Sequence, residues 1–375
     1  MTRASTLRLA LFSDTYLPQV NGVARTLARL VDAVRATGGA VELFTSDDPA
    51  AVPIDGCTRF PSVAFWAYPQ LRLAHPRAAT VDRLLDAFQP TLIHAATPFG
   101  VGLAGRAAAL RRGVPLVTSY HTSFAAYAAY YGLGAMAAPG WHFLRWFHNS
   151  GQRTYCPTRA IVDDLARRGF LGTALWSRGV DVQRFSPRHR DEAWRASIGV
   201  ASSDRLALYV GRLAAEKGLA DALAAAAILA DRRAPVRFGF VGDGPYEADV
   251  ARRAPPGTWL PGVLNGDALA RAYASADCFI FPSTTDTFGN VLLEAAASGV
   301  PIVAADVGPT RELLGNREMA LLVPPAAPEA LADAVLARRR AARQLAEGHA
   351  WSAVWDALFA SYAAVQEAHG QVRAA

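Results

Sequence analysis

The chain is short of cysteine. It has three in 375 residues, Cys57, Cys156 and Cys278, odd in number and far apart. That excludes a disulfide framework and a zinc site of paired spacing, and makes a reducing cytosol the expected compartment. It also lacks any uninterrupted apolar run near the ~20 residues of a membrane-spanning helix. The opening stretch MTRASTLRLALFSDTYLPQ has an apolar run broken by Ser13 and Asp14, and reads as a first strand rather than a signal peptide. There is no long Lys/Arg block and no nucleic-acid module, which argues against a nucleic-acid partner. A complete dinucleotide fingerprint is missing too. Gly242-Asp243-Gly244 is followed by Pro245, with Glu247 where a third glycine belongs. A turn is expected there, and a dehydrogenase is not.

What is present is globular. Hydrophobic residues make up 52% and charged ones 19%, outside the range of disordered chains. The net charge of +6 suits an anionic ligand or a negatively charged membrane surface. The length is too great for one ordinary core, so two domains are expected. Apolar runs alternate with longer amphipathic segments. Leu7–Phe12, Val41–Thr45, Thr91–His94 and Leu116–Ser119 read as strands of a first series, with a helix over Val23–Ala36. After Pro187 a second series follows, with strands at Leu206–Val210, Val236–Val241, Cys278–Phe281 and Pro301–Ala304. Helices are expected at Leu219–Asp231, Tyr246–Arg253, Asp267–Ser275 and Asn290–Ala297. This β–α alternation predicts an α/β fold of two doubly wound domains facing across a cleft, at 1–182 and 183–350. Trp176–Pro187 is the expected linker. A last helix within 351–375 is placed so that it can return to the first domain.

In open parallel sheets ligands sit beyond the carboxyl ends of the strands, and the polar motifs of this chain fall just after strands. FPSTTDTFGNVLLEAAASGVP, Phe281 to Pro301, reads as strand, polar turn and helix. Asp286 and Glu294 flank a helix start at Phe288-Gly289-Asn290. Free N–H groups there favour anionic oxygens, while the carboxylates accept hydroxyls. A nucleotide sugar needs that combination. Val210-Gly211-Arg212 through Lys217-Gly218 follows the second series' first strand. Arg212 has the fork for phosphate oxygens and Lys217 adds a point charge; the plain alternative is two solvated cations. Asn21-Gly22 precedes the first helix, as a cap and turn or as a close approach to a ligand. His121, in Ser119-Tyr120-His121-Thr122, is a candidate for a sugar hydroxyl, or else structural. Pro261-Gly262-Val263 offers backbone contacts to a base, though an apolar turn reads the same. Phe65–Arg77 mixes aromatics with cations and is the better acceptor-binding candidate, through Trp66, Tyr68 and Arg72. Trp141–His148 has the same mixture, which suits a membrane interface, but is read as a helix with a buried aromatic face.

Together these residues resemble the retaining glycosyltransferases of family 4. The motifs NGV, SYHTSF, WSRGVDVQRFSP, YVGRLAAEKG, FVGDGPY, AYASADCFIFPS and TFGNVLLEAAASGVPIVA occur in order from Leu7 to about Val323. Within the family the chain is most similar to bacterial GDP-mannose-dependent α-mannosyltransferases of glycolipids, with UDP-sugar glycolipid synthases also similar. The resemblance implies a GT-B fold, no cofactor and no required metal. It implies a nucleotide diphosphate sugar as donor and a lipid or glycan acceptor, with peripheral contact at the cytoplasmic membrane face. It gives Arg212 and Lys217 the pyrophosphate, Glu294 the ribose and Asp286 a sugar hydroxyl. Phe288, Gly289 and Asn290 would offer backbone contacts, and Asn21, Gly22 and His121 would touch the donor from the first domain. The leaving phosphate would itself help take the acceptor proton. One departure stands out: the family usually has glutamate where this chain has Asp286. The rival readings are a nucleotide-sugar epimerase of the same fold, and a nucleotide-sugar-binding protein without activity.

Overall fold

The computed structural model describes residues 7–19, 21–65, 68–121, 137–315, 320–337, 345–346, 349 and 351–374. The chain divides into two compact units, residues 1–177 with 352–375, and residues 178–351.

The first unit holds strands β1 Arg8–Ser13, β2 Ala40–Ser46, β3 Cys57–Phe60, β4 Ser62–Phe65, β5 Tyr68–Ala74, β6 Leu92–Ala95, β7 Leu116–Ser119, β8 Arg153–Cys156 and β9 Thr173–Leu175. Seven of them form one parallel sheet in the order β3-β2-β1-β6-β7-β8-β9, and β4 with β5 makes an antiparallel hairpin. β1 explains why such strands read as continuous apolar runs. Leu9 and Leu11 enter one core cluster, while Ala10 and Phe12 enter another on the opposite face. Both faces are covered by helices, so neither set of alternating side chains is polar.

The C-terminal helix Trp351–Ala374 places Leu358, Tyr362 and Val365 in the same cluster as Leu9 and Leu11. That spacing is one helical stripe. Beside it, Tyr362 Oη lies 2.7 Å from His94 Nδ1, and Tyr155 Oη donates to Ser361 Oγ at 2.8 Å. Apolar packing and buried hydrogen bonds therefore fix this helix to the first unit.

The second unit holds β10 Arg205–Val210, β11 Val236–Val241, β12 Trp259–Gly262, β13 Cys278–Phe281, β14 Ile302–Ala305 and β15 Ala320–Val323. They form a parallel sheet ordered β12-β11-β10-β13-β14-β15. Again the strands are two-faced: Leu206, Leu208 and Val210 pack on one side, Ala207 and Tyr209 on the other. In each sheet the winding direction reverses once, between β1 and β6 and between β10 and β13. The expected linker is not a free tether. Trp176 is buried in the first unit, and Val180 and Phe185 are buried in the second unit's core. Among the described residues no helix is long and apolar enough to cross a membrane.

Candidate active site

A doubly wound sheet leaves a crevice at its reversal point, beyond the carboxyl ends of the two strands that flank it. In the second unit those strands are β10 and β13, which pair in parallel through Ala207–Cys278 and Leu208–Phe279. β10 ends at Val210, so Arg212 and Lys217 follow it; β13 ends at Phe281, so Asp286 and the helix Asn290–Ala297 follow that. Strand order thus brings together two segments about seventy residues apart. Lys217 Nζ lies 2.7 Å from Asp286 Oδ1. Their side chains are 14% and 26% exposed, half-sheltered but open to a ligand. Thr285 Oγ1 donates to the Glu216 carbonyl at 3.1 Å, a second tie between the segments.

The cationic loop is braced from below. Glu216 is buried, and its carboxylate stands 3.8 Å from the Arg212 guanidinium. Tyr209 Oη donates to the Arg212 carbonyl at 2.9 Å, and Leu213 N to the Asp243 carbonyl at 2.6 Å. The Gly242-Asp243-Gly244 turn is the other half of this brace. A Cβ on Gly242 would stand 2.0 Å from the Gly211 carbonyl oxygen, and one on Gly244 would stand 2.3 Å from that of Leu213. Gly218, at φ +70°, closes the loop; a Cβ there would stand 2.4 Å from the Pro282 carbonyl oxygen. Only glycine allows these approaches.

Glu294 lies one turn into the helix Asn290–Ala297 and accepts a hydrogen bond from Tyr273 Oη at 2.9 Å. The Tyr273 ring is fully buried between Phe185 and Phe279, at centroid distances of 5.6 and 5.5 Å. A rigid phenol therefore aims the carboxylate. Phe288 is buried, Gly289 has φ +81°, and Asn290 begins the helix. Val263 follows β12 and is exposed; Pro261-Gly262, offered for backbone contacts to a base with an apolar turn as the alternative, is the end of that strand. Chemically, this end of the sheet offers two fixed cations, a helix N-terminus and two carboxylates, which together suit a diphosphate beside a polyol.

In the first unit the equivalent place lies beyond β1 and β6. Asn21 caps the helix Gly22–Ala36, its Oδ1 accepting from Ala24 N at 2.8 Å and its Nδ2 donating to Thr15 Oγ1 at 2.9 Å. The side chain is thus occupied, and exposed Gly22 presents backbone at the helix start. His121 follows β7 and packs edge-on to Trp176 at 5.5 Å. Of the acceptor candidates, Trp66 lies outside the described residues, as does the segment 122–136, and Tyr68 lies on β5. Arg72 is tied into the hairpin. Its Nε donates to the Asp47 carbonyl at 2.8 Å and to Ser62 Oγ at 2.9 Å. Its Nη2 donates to the Ser62 carbonyl at 3.1 Å.

Asp14 escaped the sequence reading as anything but a break in an apolar run. It is wholly buried, accepting from Thr97 Oγ1 at 2.7 Å and Val101 N at 2.8 Å. Burial outweighs these bonds and pushes its carboxyl from 3.8 up to about 6. The folded state therefore binds this proton more tightly than the unfolded chain does. Its contribution to stability is complete below about pH 3.8 and is lost as pH rises through about 6. The loss is about 3 kcal/mol for a shift of this size. Urea unfolding across that range is expected to show this slope, and Asp14→Asn to flatten it. Equal slopes would place the charge elsewhere.

Two further signals were open in the sequence. Lys217 is the sole lysine: of 38 cationic residues, 37 are arginine. A chain that uses guanidinium everywhere else keeps an ammonium at this loop. Tyr273 was readable only as one aromatic of a helix, and its hydroxyl's role appears with the packing.

The chain is similar to known proteins over most of its length. Residues 20–184 match Glycosyltransferase Family 4, and residues 204–338 match Glycosyl transferases group 1. The GDP-mannose-dependent alpha-mannosyltransferase of Mycobacterium tuberculosis is 35% identical, over 96% of this chain and 97% of its own length. The alpha-monoglucosyldiacylglycerol synthase of Streptococcus pneumoniae is 28% identical, over 80% of this chain and 71% of its own. Among solved structures, a sucrose-phosphate synthase from Thermosynechococcus elongatus superposes with a TM-score of 0.78 at 19% identity. It covers 96% of this chain and 99% of that one.

Proposed function

Because the chain belongs to glycosyltransferase family 4 and has the GT-B fold, we propose that it is a retaining mannosyltransferase. In this reading GDP-mannose is the donor, and the acceptor is a hydroxyl of a lipid or glycan at the cytoplasmic membrane face. The observation that carries the donor site is the Lys217–Asp286 contact at 2.7 Å across the reversal point of the second sheet. Arg212 and Lys217 neutralise the diphosphate as the bond from the anomeric carbon to its phosphate oxygen breaks. Asp286 accepts a mannose hydroxyl and Glu294 the ribose hydroxyls. Phe288, Gly289 and Asn290 supply backbone N–H groups, and Val263 lines the base. In the first unit, Asn21, Gly22 and His121 are the candidates for sugar contact. The acceptor oxygen bonds to the anomeric carbon on the face the phosphate leaves, and its proton passes to that phosphate.

Thermal-shift titration separates the donors. A ligand at a hundred times its dissociation constant stabilises the native state by about 2.7 kcal/mol. GDP-mannose and GDP are expected to raise the melting temperature, UDP-glucose much less. The reverse order would make this a UDP-sugar-dependent glycolipid synthase. Donor incubated alone tests the epimerase reading, which requires an isomerised sugar without any acceptor. Binding without nucleotide release when lipid acceptors are supplied would leave only a binding protein.

Tyr273→Phe removes one hydrogen bond to a charged group, worth about 1.5–3 kcal/mol. The ribose does not react, so the donor KM is expected to rise about tenfold or more at unchanged kcat. A fall in kcat instead would move Glu294 from nucleotide binding toward the reacting sugar.

A further inference from the structure

The chain enters the second unit at Arg178 and leaves it at Trp351, and the two segments lie side by side. Val180 N donates to the His349 carbonyl at 3.2 Å. A Cβ on Gly179 would stand 2.6 Å from the Trp351 ring and 3.0 Å from the Trp351 Cα, so only glycine lets the segments approach this closely. Val180 is itself buried in the core of the second unit. Entry and exit are therefore one junction, built on that core.

His349 joins this junction to the candidate donor site. Its backbone N–H donates to the carbonyl of Ala346, a fully buried residue, at 3.0 Å. Its ring Nδ1 lies 2.9 Å from the Leu345 carbonyl oxygen. A carbonyl only accepts, so Nδ1 carries the hydrogen and donates it. Leu345 packs against the same core. The imidazole is thus held in place by its own segment. Its aromatic neighbour is Phe288, with ring centroids 6.5 Å apart and planes at 63°, an edge contact of the favourable kind. Phe288 immediately precedes Gly289 and Asn290, where the helix Asn290–Ala297 begins. A Cβ on Gly289 would stand 2.9 Å from the Phe281 ring and 3.0 Å from the Leu292 side chain. The turn at the helix start therefore has one aromatic brace from the end of β13 and a second from the chain exit.

Backbone N–H groups stabilise an anion well only when their direction is fixed beforehand. Glycine at φ +81° cannot fix it alone, because it is the residue with the most backbone freedom. The rings on either side supply what glycine lacks. On the donor reading of Phe288, Gly289 and Asn290, we infer that His349 is a positioning residue for the nucleotide sugar. Through the Phe288 ring it aims the N–H groups of Gly289 and Asn290. Through its own carbonyl it ties them to the entry segment at Val180. Nucleotide bound at the helix start then steadies the junction, and His349 carries the effect. Every contact in this series lies within the second unit.

Calorimetric titration of the full chain tests this, with GDP, or with UDP if that is the nucleotide the wild type binds. His349→Ala is expected to bind about three- to tenfold more weakly than wild type, the worth of one aromatic contact. His349→Phe keeps a ring against Phe288 and is expected to bind within about twofold of wild type. A ring that only filled core would lower the melting temperature of His349→Ala and leave its nucleotide affinity unchanged. Should the alanine variant not fold, amide exchange in the wild type decides. Saturating nucleotide is expected to slow exchange at the Val180 N–H about threefold or more, through its bond to His349. Equal affinity in wild type and folded His349→Ala would overturn the proposal. So would His349→Phe binding as weakly as the alanine variant, or exchange at Val180 that ignores nucleotide. The wild type tells the two possible failures apart. If it binds neither GDP nor UDP, the donor reading falls and takes the role of His349 with it. If it binds nucleotide no more tightly than His349→Ala does, the donor reading stands and the positioning role alone falls.

Discussion

Lys217→Ala is expected to lower kcat/KM for the nucleotide-sugar donor by about 10²–10³, the usual cost of removing one preorganised charge-stabilising donor. The ammonium is fixed at 2.7 Å from Asp286 and is only 14% exposed, so its charge acts in a sheltered place where water screens it poorly. Lys217→Arg is a sharper probe. In a chain with 37 arginines a guanidinium is compositionally acceptable anywhere. Yet the planar fork does not fit where a compact ammonium meets one carboxylate oxygen. Arginine is therefore expected to recover less than a tenth of the lost activity, and full recovery would reduce the site's demand to charge alone. The sole lysine also gives a direct assay. An amine-acylating reagent is expected to modify Lys217 as the only side chain, and saturating nucleoside diphosphate to protect it. Labelling that nucleotide does not slow would remove Lys217 from the diphosphate site.

Elements buried on both faces were legible from sequence, because burial makes a strand a continuous apolar run. Val236–Val241 and Cys278–Phe281 are strands to the residue, and Leu219–Asp231 is a helix to the residue. Edge and hairpin elements were not. Thr173–Leu175 has an exposed leucine and Ser62–Phe65 follows Pro61, so neither shows the apolar run of a central strand. The site divides in the same way. Arg212, Lys217 and Asp286 could be named because each follows a strand, and chain order alone puts them in loops at one end of a sheet. That Lys217 meets Asp286 depends on β10 lying beside β13 with β11 and β12 on the far side, a matter of strand order that no local pattern encodes. Arg72 shows what packing adds to such a reading. A cation amid aromatics looks wholly available to a ligand, yet its Nε and Nη2 also hold the Asp47 carbonyl and Ser62 of the hairpin.

Asp286→Ala is expected to cost as much as the loss of Lys217, about 10²–10³ in kcat/KM, and for two separable reasons. It removes an acceptor for a sugar hydroxyl, and it leaves the half-sheltered Lys217 ammonium without its partner, which is worse than removing both charges. A double-mutant cycle separates these roles. If Asp286 serves only to hold Lys217, the double alanine variant will be no worse than Lys217→Ala, and the free energies will fall short of additive by the whole Asp286 effect. If Asp286 also binds the sugar, the double variant will fall further than either single one. The second outcome is expected, because the Asp286 side chain is 26% exposed and has a second carboxylate oxygen beyond the one facing Nζ. Asp286→Glu then reads the departure from the family's usual residue. One added methylene pushes the carboxylate toward the sugar while the loop holding Lys217 stays pinned by Gly218 against Pro282. The expected result is a variant within about tenfold of wild type on GDP-mannose, with altered preference among donor sugars, since small changes of reach in a binding pocket are worth about 1–3 kcal/mol. Indifference of donor preference to both Asp286→Glu and Asp286→Ala would show that the carboxylate touches only the lysine.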